Sequence, residues 1–178
     1  MGSHGALDRF DPLTGQIEQH RTFVNGMHWL TSVREDRRGR VWIGSSDALM
    51  RYDPRTRELR RWGRDAAADA PMEGTVEAMM TCDGDSLWLM LPSGLQQRDL
   101  DGHVRRELES GRDGLQLGQL NLDVECGPQD HIWLGSSRGL LQWLPEAGRF
   151  QPVPGAPASA VYAMHLGHDG QVWVSEDR

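Results

Sequence analysis

Asp36-Arg37-Arg38-Gly39-Arg40-Val41-Trp42-Ile43-Gly44 sets a polar reversal directly ahead of a short apolar run with tryptophan at its second position. Asp and Gly support tight reversals through side-chain hydrogen bonds and positive φ. Val, Trp and Ile favour strands. The run returns as Leu87-Trp88-Leu89-Met90, Ile132-Trp133-Leu134-Gly135 and Val172-Trp173-Val174-Ser175, the tryptophans standing 46, 45 and 40 positions apart. A period of that size, carried by strand-forming residues, marks an array of small sheets.

Outward from each tryptophan run the surroundings also repeat. Upstream of each turn lies another apolar stretch: Leu30 to Val33, Val76 to Met80, Leu120 to Val124 and Val161 to Leu166. Each unit therefore opens as a hairpin. Downstream come a small-residue corner and a third strand: Ala48 to Tyr52, Leu95 to Arg98 and Leu140 to Trp143. A second turn leads to a polar fourth strand: Glu58 to Trp62, His103 to Glu107 and Arg149 to Val153. Four antiparallel strands per repeat of about 45 residues is the pattern of a β-propeller blade. The fold class is all-β. Inner strands are apolar because both faces pack on neighbouring blades, and outer strands carry charge because they form an exposed edge.

Residues 1–4 read as an expression-tag remnant and residues 5–178 as propeller repeats. Gly5 to Gly15 matches a third strand and second turn, and Val172 to Arg178 ends just after a tryptophan strand. The expected content is three whole blades and two complementary half-blades. Three arrangements are open: a four-bladed ring in one chain, an eight-bladed ring of two copies, or a stretch of a longer propeller. Self-complementing closure is favoured, and the two-copy ring within it.

Asp36 to Gly44, followed by Ala48-Leu49-Met50-Arg51-Tyr52-Asp53-Pro54-Arg55-Thr56, resembles the repeat of the two-component regulator propeller family. Ile132 to Phe150 and Leu7 to Gly15 carry further partial copies. Ser45 and Ser136 stand where that motif has Thr, and Met90 where it has Gly. The resemblance implies a periplasmic or extracytoplasmic sensory module that binds small molecules or glycan fragments. It also implies a membrane span and a signalling output, such as a histidine kinase or a cyclic-dinucleotide synthase, elsewhere in the parent protein.

The formal net charge is −7. An unclustered acidic balance argues against nucleic acid or an anionic membrane surface as partner. No apolar run reaches the roughly 18 residues of a membrane span. Cys82 and Cys126 fall near the ends of the strands preceding successive tryptophan strands, on neighbouring sheets at similar depth. With no metal or redox motif around them, they read as two separate buried thiols. All 19 basic residues are arginine.

In a propeller the loops after the second and fourth strands open on one face, around the channel, and such loops hold ligands. The candidate ligand-binding residues are His28, Trp29, Asn121, Arg138 and Tyr162, with Asn25, Arg64 and Glu73 as further contacts. Trp29 offers a stacking face for a sugar. Arg138 offers a fork for a carboxylate. His165 and His168 are three apart, which on a strand points them to opposite faces, so no metal is expected. Asp83-Gly84-Asp85 is too short for a calcium loop and reads as a turn. No catalytic or cofactor motif occurs, so neither catalysis nor a cofactor is expected.

Three functional readings follow. The first is a non-catalytic ligand-sensing or interaction propeller. The second is an enzyme similar to streptogramin lyases, which also repeat Asp-Gly-x-hydrophobic-Trp segments. It would require His28, Glu73 and His165 to converge on a metal. The third is a propeller piece whose main property is self-assembly into a ring.

Overall fold

The structure, a computed structural model, describes residues 7–20, 29–63, 74–82, 85–112, 115, 121–127, 131–156 and 158–176. Every described element is a strand. β1 (Leu7–Phe10) and β2 (Ile17–His20) form a two-stranded sheet. Blade one is β3 (Leu30–Glu35), β4 (Val41–Ser45), β5 (Ala48–Asp53) and β6 (Glu58–Gly63), paired antiparallel in that order. Blade two is β7 (Ala78–Cys82), β8 (Ser86–Leu91), β9 (Gly94–Asp99) and β10 (Val104–Glu109). Blade three is β11 (Asn121–Cys126), β12 (Ile132–Ser136), β13 (Gly139–Leu144) and β14 (Arg149–Pro152). β15 (Val161–Leu166) and β16 (Val172–Glu176) form a second two-stranded sheet. The four tryptophans sit on β4, β8, β12 and β16, the second strand of each unit.

Alternation of side chains across a strand explains why the units stack. Trp42 faces forward and packs with Val76, Met79, Leu87 and Leu89 of blade two. Ile43, one residue on, faces backward with Met50, Tyr52 and Leu7. Trp88 faces forward into Val124, Leu134 and Trp143 of blade three, and Trp133 into Val161, Met164 and Val174. The core is therefore a series of slabs, one between each pair of neighbouring sheets. Trp42 is fully buried, Trp88 nearly so, and Trp173 is 65% exposed.

The slab between blades one and two carries a polar clamp. The Asp36 carboxylate accepts from Trp42 Nε1 and from Arg40 Nε, both at 2.9 Å, and from the backbone N–H groups of Arg38 and Arg40. Burial pushes its pKa up, but the bonds from Trp42, Arg40 and Arg38 outweigh burial and hold it below the ordinary Asp value. Trp42 stacks on Trp62 with centroids 5.4 Å apart, and the Arg51 guanidinium lies 5.6 Å from each ring centroid. Arg40 and Arg51 both donate to the Leu100 carbonyl at 2.7 Å, tying blade one to the third-to-fourth turn of blade two. Here the planar arginine fork bonds and stacks at once, which a lysine cannot do.

Gly44 and Gly135, which follow the tryptophan runs, are required by close approach rather than by backbone conformation. A Cβ on Gly44 would lie 2.7 Å from the Val76 side chain, and one on Gly135 3.0 Å from Val161. Each lets the inner strand of the next blade come in. Met90, at the same position in blade two, instead fills the slab toward blade three and is fully buried.

The cysteine reading is corrected by the structure. Cys82 and Cys126 form a disulfide, with Cα atoms 5.5 Å apart, inside the usual span for such a bridge. Cys82 shares the forward face of β7 with Met80, and Cys126 packs into the same slab from β11. The bridge pins the inner strands of blades two and three together.

Among the described residues β1 pairs only with β2, and β16 only with β15.

Candidate functional site

In every blade the inner strand starts at one rim, here the loop rim, and ends at the other, the turn rim. The loop rim gathers the hairpins between second and third strands and the connections between blades. Buried serines set these hairpins. Ser45 Oγ donates to the Ala48 carbonyl at 2.9 Å, and Ser136 Oγ to the Gly139 carbonyl at 2.8 Å. Three inner strands are bulged near this rim, at Leu30/Ser32, Asn121/Asp123 and Val161/Ala163. The bulge releases one residue per strand from the ladder. In β3 it is Thr31, whose hydroxyl donates to the Val76 carbonyl of blade two. In β15 it is Tyr162.

The candidate residues that are described all belong to the loop rim. Trp29 immediately precedes β3, is 76% exposed, and has its carbonyl held by the Ser46 N–H at 3.0 Å. Asn121 is the first residue of β11. Tyr162 is the second of β15 and partly exposed. Arg138 sits in the β12–β13 hairpin, its N–H on Ser136 Oγ at 3.2 Å. Asn25, His28, Arg64 and Glu73 lie outside the described residues. The topology thus brings four positions to one rim.

Below the rim, between β11 and β15, lies a polar patch that the sequence reading missed. Asp123 Oδ2 accepts from the Met164 N–H at 2.8 Å, linking the two inner strands. Glu125 Oε1 lies 4.0 Å from His165 Nδ1. Burial, then the charge of Asp123, raises the Glu125 pKa, against the pull of His165 and Arg34. Alternation along an inner strand was the available signal, since Asp123 and Glu125 share a face. His168 falls in the turn after β15, away from His165. Among the described residues no group of three metal-ligating side chains comes together.

The turn rim is built differently. Asp11, Asp36, Asp53, Asp99 and Asp169 each accept the N–H two residues on, an aspartate turn at the first-to-second or third-to-fourth corner. Asp85 pairs with Arg37, an ion pair between blades one and two, while Asp83 and Gly84 lie outside the described residues. Cavities open here among the described residues, and the two described below are not lined by Trp29, Asn121, Arg138 or Tyr162. One of about 550 Å³ carries Arg38, Arg98 and Arg105 against Asp85, Asp99 and Asp101. Burial pushes the Arg98 pKa down to about 10, against the pull of Glu107 and Asp99. The second, of about 670 Å³, lies between β1 and blade one.

Radially stacked four-stranded antiparallel sheets with slab cores between them define a β-propeller. The chain is similar in structure to the extracellular domain of a hybrid two component system from B. thetaiotaomicron, with TM-score 0.71, 16% identity, and coverage of 98% of this chain and 26% of that one. A second hybrid two component system from the same organism matches with TM-score 0.63, 14% identity, and coverage of 96% and 21%. A catalytically inactive virginiamycin B lyase from Staphylococcus aureus, solved with quinupristin, matches with TM-score 0.72, 14% identity, and coverage of 98% and 57%. The chain therefore spans about a quarter or less of these extracellular domains and little over half of the lyase. No protein-family model and no curated protein matches the sequence. At these identities the likeness concerns the fold alone, that of a β-propeller.

Proposed function

We propose that the chain is part of a non-catalytic, extracytoplasmic sensory propeller that binds a small molecule or glycan at the loop rim. The observation that carries this reading is the match of nearly the whole chain to extracellular domains of two component systems. The Cys82–Cys126 disulfide supports the same compartment, because such bridges persist where the surroundings are oxidising. The exposed Trp29 supplies a stacking surface, with Arg138 as a charged partner on the same rim.

Saturation-transfer NMR with a panel of neutral and uronic-acid oligosaccharides tests it. At least one should bind, and Trp29→Ala should weaken that binding roughly tenfold or more. No binding across the panel, or binding indifferent to both Trp29→Ala and Arg138→Ala, overturns the reading.

The His165–Glu125 pair and the lyase likeness favour one second reading, a lyase. Consumption of quinupristin, followed by chromatography and abolished by His165→Ala, would replace the sensory reading with it.

A further inference from the structure

Blades one and two differ at positions that the strand register makes equivalent. Cys82 stands where blade one has Asp36, and Ser86 where it has Arg40. Gln97, opposite Trp88, stands where blade one has Arg51, opposite Trp42. The carboxylate and both guanidinium groups of the blade-one clamp are thus replaced by shorter or uncharged side chains. All three replacements line the cavity of about 550 Å³ at the turn rim. Trp88 lies alongside it, in the same cross-strand row as Gln97 and one row from Cys82 and Ser86 on the same face. Its Nε1 is buried and, among the described residues, meets no acceptor, whereas Trp42 Nε1 donates to Asp36. The Cys82 sulfur, bonded to Cys126, is at best a weak acceptor. A buried donor left without an acceptor is costly.

Charge around the cavity suits an anion. Its three aspartates are answered within the protein: Asp85 by Arg37, Asp99 by Arg105 at 2.7 Å, and Asp101 by Arg38 at 3.4 Å. Arg98 is fully buried against the cavity, with Nε and Nη1 donating to the neutral Gln96 Oε1 and Gly102 carbonyl at 2.6 and 2.9 Å. Burial lowers its pKa, which a nearby anion would restore. The Ser86 hydroxyl and the Gln97 amide each donate and accept. We propose that this cavity binds a small hydroxy acid whose carboxylate takes the part of the Asp36 side chain: it accepts from Trp88 Nε1 and pairs with Arg98 and Arg105, while Ser86 and Gln97 hold the hydroxyls. A ligand then completes in blade two the clamp that side chains complete in blade one. The volume admits a molecule as large as a hexuronic acid. The site lies on the rim opposite Trp29 and Arg138 and does not rest on binding there.

The indole N–H of Trp88, assigned by its loss in Trp88→Phe, reports on the site in heteronuclear NMR spectra. Malate or glucuronate should move it downfield and saturably, and glucose should leave it in place. Arg105→Gln, on the exposed outer strand, should weaken that binding roughly tenfold. Ser86→Phe, which fills the cavity, should abolish it with an unchanged circular dichroism spectrum. A resonance that neither acid moves at roughly ten millimolar overturns the proposal, as does one that sulfate or glucose moves equally. Binding that survives both Arg105→Gln and Ser86→Phe overturns it too. Failure at the loop rim shows instead as indifference to Trp29→Ala and Arg138→Ala, so the two readings fall separately.

Discussion

Trp42 and Trp173 hold the same position in the same repeat, yet one is fully buried and the other 65% exposed. The run around each is nearly the same: Val-Trp-Ile-Gly and Val-Trp-Val-Ser. What differs is the sheet in front. Trp42 has the inner strands of blade two, a stacked Trp62, an Arg51 cap and an Asp36 acceptor for its N–H. At Trp173 the residue equivalent to Asp36 is Gly167. A repeat thus prescribes where a side chain points, while the next repeat decides what that direction is worth.

The sharpest way to break this comparison is to truncate both rings. Trp42→Ala should cost about 3–5 kcal/mol of stability, as for other buried large aromatics. Trp173→Ala should cost under about 1 kcal/mol when measured the same way. Urea unfolding followed by circular dichroism reads both, and equal losses would remove the distinction. Next in size is the bridge. Replacing both Cys82 and Cys126 with serine should cost about 2–4 kcal/mol, seen as a lower urea midpoint and matched by reduction of the native chain.

The smallest effect concerns pH and opposes two carboxylates. Asp36 has a depressed folded pKa, so its stabilisation is complete above its unfolded value and is lost as pH falls through the folded value, below 3.8. Asp36→Asn should flatten that part of the acid-unfolding profile. Glu125 has a raised pKa, so folding favours its protonated form. Its penalty is present at neutral pH and fades as pH falls through the raised value. Glu125→Gln should therefore raise the urea midpoint at pH 7 and leave it little changed well below the carboxylate range. A profile unmoved by either substitution would place the acid sensitivity elsewhere.

The blade order was legible because it rests on local signals repeated in register: an aspartate turn, a tryptophan strand, a small-residue corner. The disulfide was misread although its signal was present. Cys82 stands six residues before Trp88, and Cys126 seven before Trp133. That single-residue offset switches strand face, so neighbouring blades turn the two sulfurs toward each other. Spacing motifs describe cysteines within one loop and miss a pair brought together by stacking. The clamp of Asp36, Arg40 and Arg51 was also hidden, because in one dimension its arginines resemble the surface arginines of the outer strands. The candidate site was least legible. Trp29, Asn121, Arg138 and Tyr162 follow from topology, which assigns them a common rim. Which side chains converge there depends on the connections between blades, whose sequences do not repeat.

The Cys82–Cys126 bridge also bears on how the molecule comes apart. In a linear array each unit is held by its neighbours alone, and melting proceeds inward from the ends. A covalent staple between blades two and three fuses them into one cooperative block, the last to open. Amide exchange should then be slowest on β7, β8, β11 and β12, and the gradient from ends to middle should flatten on reduction. The bridge makes blades two and three the anchor on which the outer sheets fray and re-form.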